Sequence, residues 1–182
     1  RDVATDHESQ HGSTQTAYLN GREVGTASQD TEDISSDITI GASQHSSNGI
    51  HDFFKGRIDE VRIYDTELSE QEILAEYSSM VWMSPWKELT GKEEGVAEPV
   101  SRWEFSEGAG QSVKDLARNN DALLGSDSTY GSYDPSWNRE CRQDGCMDFD
   151  GGAGGNYDAV TIPSDPSLNF PQSLTMTAWI KT

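Results

Sequence analysis

The residues of this 182-residue chain best suited to chemistry are carboxylates, amides and one pair of thiols. Its two cysteines are separated by four residues in Cys141-Arg142-Gln143-Asp144-Gly145-Cys146. A metal would need more thiolate or imidazole nearby, and His7, His11, His45 and His51 all lie in the other half. A redox pair is usually closer, at a helix start. The spacing predicts a local disulfide stapling a turn, with Gly145 supplying the tight backbone; two buried free thiols are the alternative. The staple points to an oxidising, exported setting.

Oxygen chemistry is more plentiful. Asp115 and the run Asn119-Asn120-Asp121 place hard ligands of the calcium type in one loop, although the same residues are ordinary turn formers and the spacing is not that of an EF-hand. Asp148 and Asp150 fall on one face of a strand, the kind of placement sought in a glycosidase pair. With 32 acidic residues such pairs arise by chance, and neither a Gly-x-Ser-x-Gly elbow nor a His-Glu-x-x-His motif is present. No catalytic residues are assigned, and the chain is predicted not to be an enzyme. Gly151-Gly152-Ala153-Gly154-Gly155 lacks the Lys-Ser/Thr of a phosphate loop and no helix follows, so it reads as a flexible loop.

The elements that must position these groups are short. Asn20-Gly21 between Tyr18 and Val24 predicts a tight hairpin. Asp37 to Gly41 alternates as a strand, and Phe53 to Tyr64 reads as a longer one. In the latter Val61 and Ile63 share a face while Ile58 is out of phase, which predicts a bulge near Asp59-Glu60. Ser69-Glu70-Gln71-Glu72 has the capping-box pattern, with Ile73, Leu74 and Tyr77 on one face of a helix of about two to three turns. Residues 79–100 contain Pro85, Gly91, Gly95 and Pro99 and read as a linker whose Trp82, Met83 and Trp86 pack against something. Further strands are predicted around Trp103-Glu104-Phe105, Ala122 to Leu124, Met147 to Phe149 and Ala159 to Ile162. The last is Leu174 to Thr182, where Leu174, Met176, Ala178 and Ile180 share a face. Short strands separated by turn chemistry, with one short helix, predict an all-β sandwich.

Composition agrees and narrows the partners. The net charge is −19, with residues 1–78 holding 5 basic and 16 acidic groups and residues 79–182 holding 8 and 16. Such a chain has no surplus of cations for nucleic acid or anionic membrane, and no apolar run is long enough to span a bilayer. A solvated extracellular surface, a salt-rich habitat and carboxylates clustered around calcium are compatible sources of the charge. No signal peptide is visible and Arg1 comes first, so the sequence reads as a mature or excised segment.

The segment Phe54 to Tyr64 followed by Leu68-Ser69-Glu70-Gln71-Glu72-Ile73 resembles the closing strand and helix of laminin G-like, concanavalin A-like jelly-roll domains. Tyr18 to Gly25 resembles the preceding hairpin of that family. Trp103 to Gly110 resembles its first strand, Cys146-Met147-Asp148-Phe149-Asp150-Gly151 its mid-domain signature, and Leu174 to Thr182 its "apolar-Thr-apolar-Thr-Ala-Trp-Ile-Lys" strand. The resemblance implies an antiparallel jelly-roll sandwich and a structural calcium held by Asp59, Asp115 and Asn120; Arg118 departs from the small residue usual in that loop. It implies a non-catalytic adhesion or carbohydrate-binding module of a secreted or cell-surface protein, with glycans or matrix and surface proteins as partners. The alternatives are a structural repeat of an extracellular filament or surface array, or an accessory domain of a secreted glycoside-active enzyme. Loop aromatics Tyr130, Tyr133, Trp137 and Tyr157 could stack on sugar faces.

The halves stand in reversed order: 1–78 resembles the end of a domain and 101–182 the start of one. A window on two tandem domains, one permuted sandwich, and self-association by strand exchange are the three arrangements this order allows. Unpaired strand edges in an open half favour the halves packing together.

Overall fold

A computed structural model describes residues 2–9, 14–28, 37–45, 49–81, 97–125, 127–132, 134–141, 145–152, 158–170 and 173–182. Among these the first half contributes β1 (Asp2–Ser9), β2 (Thr14–Leu19), β3 (Arg22–Ser28), β4 (Ile38–Ile40), β5 (Ser43–His45), β6 (Gly49–His51), β7 (Lys55–Tyr64) and α1 (Glu70–Val81). The second half contributes β8 (Ser101–Trp103), β9 (Ser112–Val113), β10 (Ala122–Leu124), β11 (Ser136–Asn138), β12 (Cys146–Asp150), β13 (Val160–Ile162), a 3₁₀ turn at Pro166–Leu168 and β14 (Ser173–Lys181). The larger sheet runs β11-β12-β7-β14-β1-β2-β3, with β8 also paired to β7. The smaller runs β4-β13-β10-β9, and β5 pairs with β6. Each of these strand pairs is antiparallel. The result is an all-β antiparallel sandwich, the architecture of a jelly roll.

Alternation along β14 explains both faces of the larger sheet. Leu174, Met176, Ala178 and Ile180 join the main core, together with Val113, Leu124, Val160 and Ile162 of the smaller sheet. The odd residues face α1 instead: the Thr175 hydroxyl accepts from Leu68 N at 3.0 Å, and the Trp179 ring lies 6.3 Å from that of Tyr77. Ile73 of α1 packs there with Tyr18, Tyr64 and Leu68 in a second cluster.

In β7 an extra residue is accommodated between Asp59 and Arg62, where the β14 register moves only from Trp179 to Thr177. Glu60 takes a positive φ of 53° at this bulge. The phase shift puts Ile58, Val61 and Ile63 into one core, as their sequence positions require. It also divides the far edge of β7, which pairs with β12 through residues 55–58 and with β8 through residues 61–63. Arg62, on the α1 side, bonds Glu60 at 2.8 Å and Glu76 of the helix.

Local signals are satisfied where the sequence placed them. Asn20 and Gly21 have φ of 54° and 72°, the left-handed pair of a two-residue hairpin between β2 and β3. At the start of α1, Ser69 N donates to the Glu72 carboxylate at 2.8 Å and Glu72 N to the Ser69 hydroxyl at 3.3 Å. The helix has 12 residues, so it runs into the 79–100 stretch read as linker. That stretch also ends early, because Val100 is buried and donates to Ile63 O at 2.7 Å. Trp82, Met83 and Trp86 lie outside the described residues.

Candidate functional site

Asp115 follows β9 in a loop strapped across β8. Its Oδ1 accepts from the N–H groups of Arg102 and Ala117, each at 2.9 Å. Its Oδ2 accepts from the Ser101 hydroxyl at 3.0 Å and Asn120 N at 3.1 Å. Burial works to raise this carboxyl, but the backbone donors of Arg102, Ala117, Asn120 and Arg118 outweigh it and hold its pKa below the ordinary value. Asn120 is spent as well: its amide donates to the hydroxyls of Ser101 at 2.8 Å and Ser167 at 3.2 Å, and its backbone carbonyl accepts the Trp103 indole at 2.9 Å.

This arrangement does not fit the calcium expected from the resemblance. Two donors on each oxygen of Asp115 occupy the lone pairs a cation would need. Asp59 lies on β7 three positions before Arg62, the residue opposite Arg102, with the bulge between them. Among the described residues no three His, Cys, Asp or Glu side chains form a group that could hold a metal ion. Asp115 and Asn120 organise the loop through these hydrogen bonds.

Asp59 lines a small crevice with Arg57, Trp179 and the two cysteines. Cys141 and Cys146 form a disulfide across a Cα separation of 5.9 Å, closing the β11–β12 turn. Gly145 is required there, because a Cβ would stand 2.6 Å from Phe105 O.

The larger concavity is a cleft of about 290 Å³ beside β12. Asp148 and Asp150 reach it from β12, Ser136 from β11, Asp158 from the residues before β13, and Tyr130, Gly131, Ser132 and Asp134 from between β10 and β11. Tyr130 is 88% exposed at this cleft. Asp148 accepts from Asn138 Nδ2 at 2.9 Å and Arg57 Nε at 3.4 Å, and Asp134 from Gly131 N at 2.7 Å. Asp158 is buried. Burial pushes its carboxyl above the ordinary range, and the charges of Asp150 and Asp134 add to this, against one favourable bond from Asp150 N at 2.7 Å.

Chemically the cleft offers acceptor oxygens, serine hydroxyls and one aromatic face. Asp158 is tied to β12 through the Asp150 N–H, which donates to its carboxylate at 2.7 Å. Of the aromatics singled out from sequence, Tyr130 stands at the cleft. Trp137 packs on the core and donates to Gly110 O at 2.9 Å. Tyr133 and Tyr157 are outside the described residues. Sequence reasoning found Asp148 and Asp150 but missed Asp134 and Asp158; their only signal is position, each shortly before a strand.

Residues 2–74 match a family model described as the concanavalin A-like lectin/glucanases superfamily, Laminin_G_3. The matched segment begins with β1 and ends inside α1. No curated protein and no solved structure matches the chain.

Proposed function

We propose that this laminin G-like sandwich is a non-catalytic carbohydrate-binding module of a secreted or cell-surface protein, and that its glycan sits in the cleft under Tyr130. The observation that carries this reading is the pairing of an 88% exposed tyrosine with a cleft of acceptor oxygens. An aromatic ring stacks on the C–H face of a sugar while carboxylates and serines bond its hydroxyls. The volume is at the lower end of small-molecule sites, which suits a terminal sugar of a glycan. Among the described residues no Lys or Arg lines the cleft, so neutral or amino sugars fit and sulfated or uronic ones do not. The disulfide supports an exported setting. Adhesion through glycans of matrix or surface proteins follows from the same site.

Glycan-array screening, followed by titration calorimetry with the best neutral oligosaccharide, tests the assignment. Tyr130→Ala is expected to weaken binding by several-fold to about tenfold, the worth of one aromatic contact, with melting unchanged. No glycan bound by the parent chain, or equal binding by the variant, sinks the proposal.

A further inference from the structure

We propose that the Cys141–Cys146 disulfide is a redox control on the cleft. Closed, it positions the Asp148 carboxylate that faces a bound sugar; opened by a dithiol, it frees that carboxylate from its supports. The choice of a sugar rests on the function proposed above, whereas the linkage from disulfide to carboxylate stands on geometry alone.

Two arms run from the disulfide to Asp148, and both start at the peptide of Glu140, the residue before Cys141. In one arm Glu140 N donates to Asn138 Oδ1 at 2.8 Å, and Asn138 Nδ2 donates to Asp148 Oδ2 at 2.9 Å. In the other, Glu140 O accepts from Arg57 Nη1 at 3.0 Å, and Arg57 Nε reaches the same Asp148 oxygen at 3.4 Å. Strand register puts these groups side by side, with Asn138 opposite Cys146 and Asp148 opposite Arg57. The disulfide ties Cys141 to the first residue of β12, so it holds the Glu140 peptide against the strand that carries Asp148.

The small crevice gives the bridge an access route. Cys146 is 1% exposed, but Cys141 is half-buried and borders the crevice, so an incoming thiolate attacks Cys141 Sγ. The S–S bond breaks, and Cys146 leaves as a thiolate and takes up a proton. The second sulfur of the dithiol then displaces Cys141 from the mixed disulfide. Two electrons pass from the dithiol, which closes to its own disulfide, and both cysteines end as thiols. With the bridge open the Glu140 peptide gains conformational freedom, and both supports of Asp148 loosen together. Losing the worth of one ordinary hydrogen bond weakens sugar binding about two- to tenfold.

Nuclear magnetic resonance of the isotope-labelled folded chain, oxidised and after excess dithiothreitol, reads the linkage without any ligand. The Asn138 Nδ2 amide and Arg57 Nε–H signals should shift and exchange faster in the reduced protein. The Asn120 amide, bonded to Ser101 and Ser167, should keep its position. In oxidised protein Asn138→Ala should disturb the Arg57 Nε–H with the disulfide intact, which keeps the test decisive if the reduced protein unfolds. An array of neutral oligosaccharides should bind the reduced protein and the variant about two- to tenfold more weakly than the oxidised parent. Unmoved Asn138 and Arg57 signals overturn the proposal, as does equal movement of Asn120, the mark of general loosening. Glycan binding that is equal in both redox states also overturns it. An array that binds neither state refutes the glycan reading alone, and the resonances still decide the linkage.

Discussion

The substitution Asp115→Asn isolates what the carboxylate does. The amide keeps one oxygen, which still accepts from Arg102 and Ala117. The other position becomes an N–H₂ facing the Ser101 hydroxyl and the Asn120 N–H. Ser101 can rotate to accept; the buried Asn120 N–H cannot. One buried donor left without an acceptor costs about 1–3 kcal/mol, and losing charge on the remaining bonds removes about 1 more. The expected loss of about 2–4 kcal/mol lowers Tm by about 5–15 °C in a domain of this size. Calorimetry and urea unfolding give the number. Its pH dependence checks the cause. Because the folded pKa lies below the ordinary 3.8, the wild-type contribution is complete above 3.8 and is lost as pH falls through the folded value. The stability gap between wild type and the Asp115→Asn variant should therefore narrow in acid. Excess chelator should leave the wild-type Tm unchanged. A loss below about 0.5 kcal/mol, the level of an ordinary surface change, or a gap constant with pH would refute the hydrogen-bond account.

Asp158 has the opposite sign. Its folded pKa is raised, so ionisation costs stability above that value and nothing below 3.8; Asp158→Asn should be the more stable protein at neutral pH, with the advantage vanishing in acid unfolding titrations. The Cys141→Ser, Cys146→Ser double variant should lose about 2 kcal/mol, the worth of closing a short loop, and wild type treated with a dithiol should melt with it. At Gly56 an added Cβ would lie 2.2 Å from Lys181 O at a φ of 143°, so Gly56→Ala should cost about 2 kcal/mol or more by urea midpoint. Gly25→Ala, with nothing within 4 Å, should change stability by less than about 0.5 kcal/mol.

How far the sequence could be read depended on the range of the interaction. The Asn20-Gly21 turn, the Ser69–Glu72 cap and the β7 bulge are written within a few residues, and each stands where its pattern placed it. The alternation of β14 likewise separates its core side from its helix side. The metal set was not legible in this way. Asp59 and Asp115 share no local pattern, and a carboxylate that ligates a cation looks, in sequence, like one that accepts four protein donors. The cleft shows the same limit. Asp148 and Asp150 are near neighbours on one strand, but Asp134 and Asp158 join them only when β11, β12 and the approach to β13 come together.

The central place of β7 also sets a clock. Ile58 waits for Ile180, its partner 122 positions later. At about 5–20 residues per second of synthesis, that is roughly 6–24 s during which this long strand has emerged but its central partner has not. Over that interval the first half, with 16 acidic groups against 5 basic ones, is held apart from its neighbours by its own charge. The acidity then serves the nascent chain as much as the finished one: it keeps an unfinished sheet in solution until its other half is made.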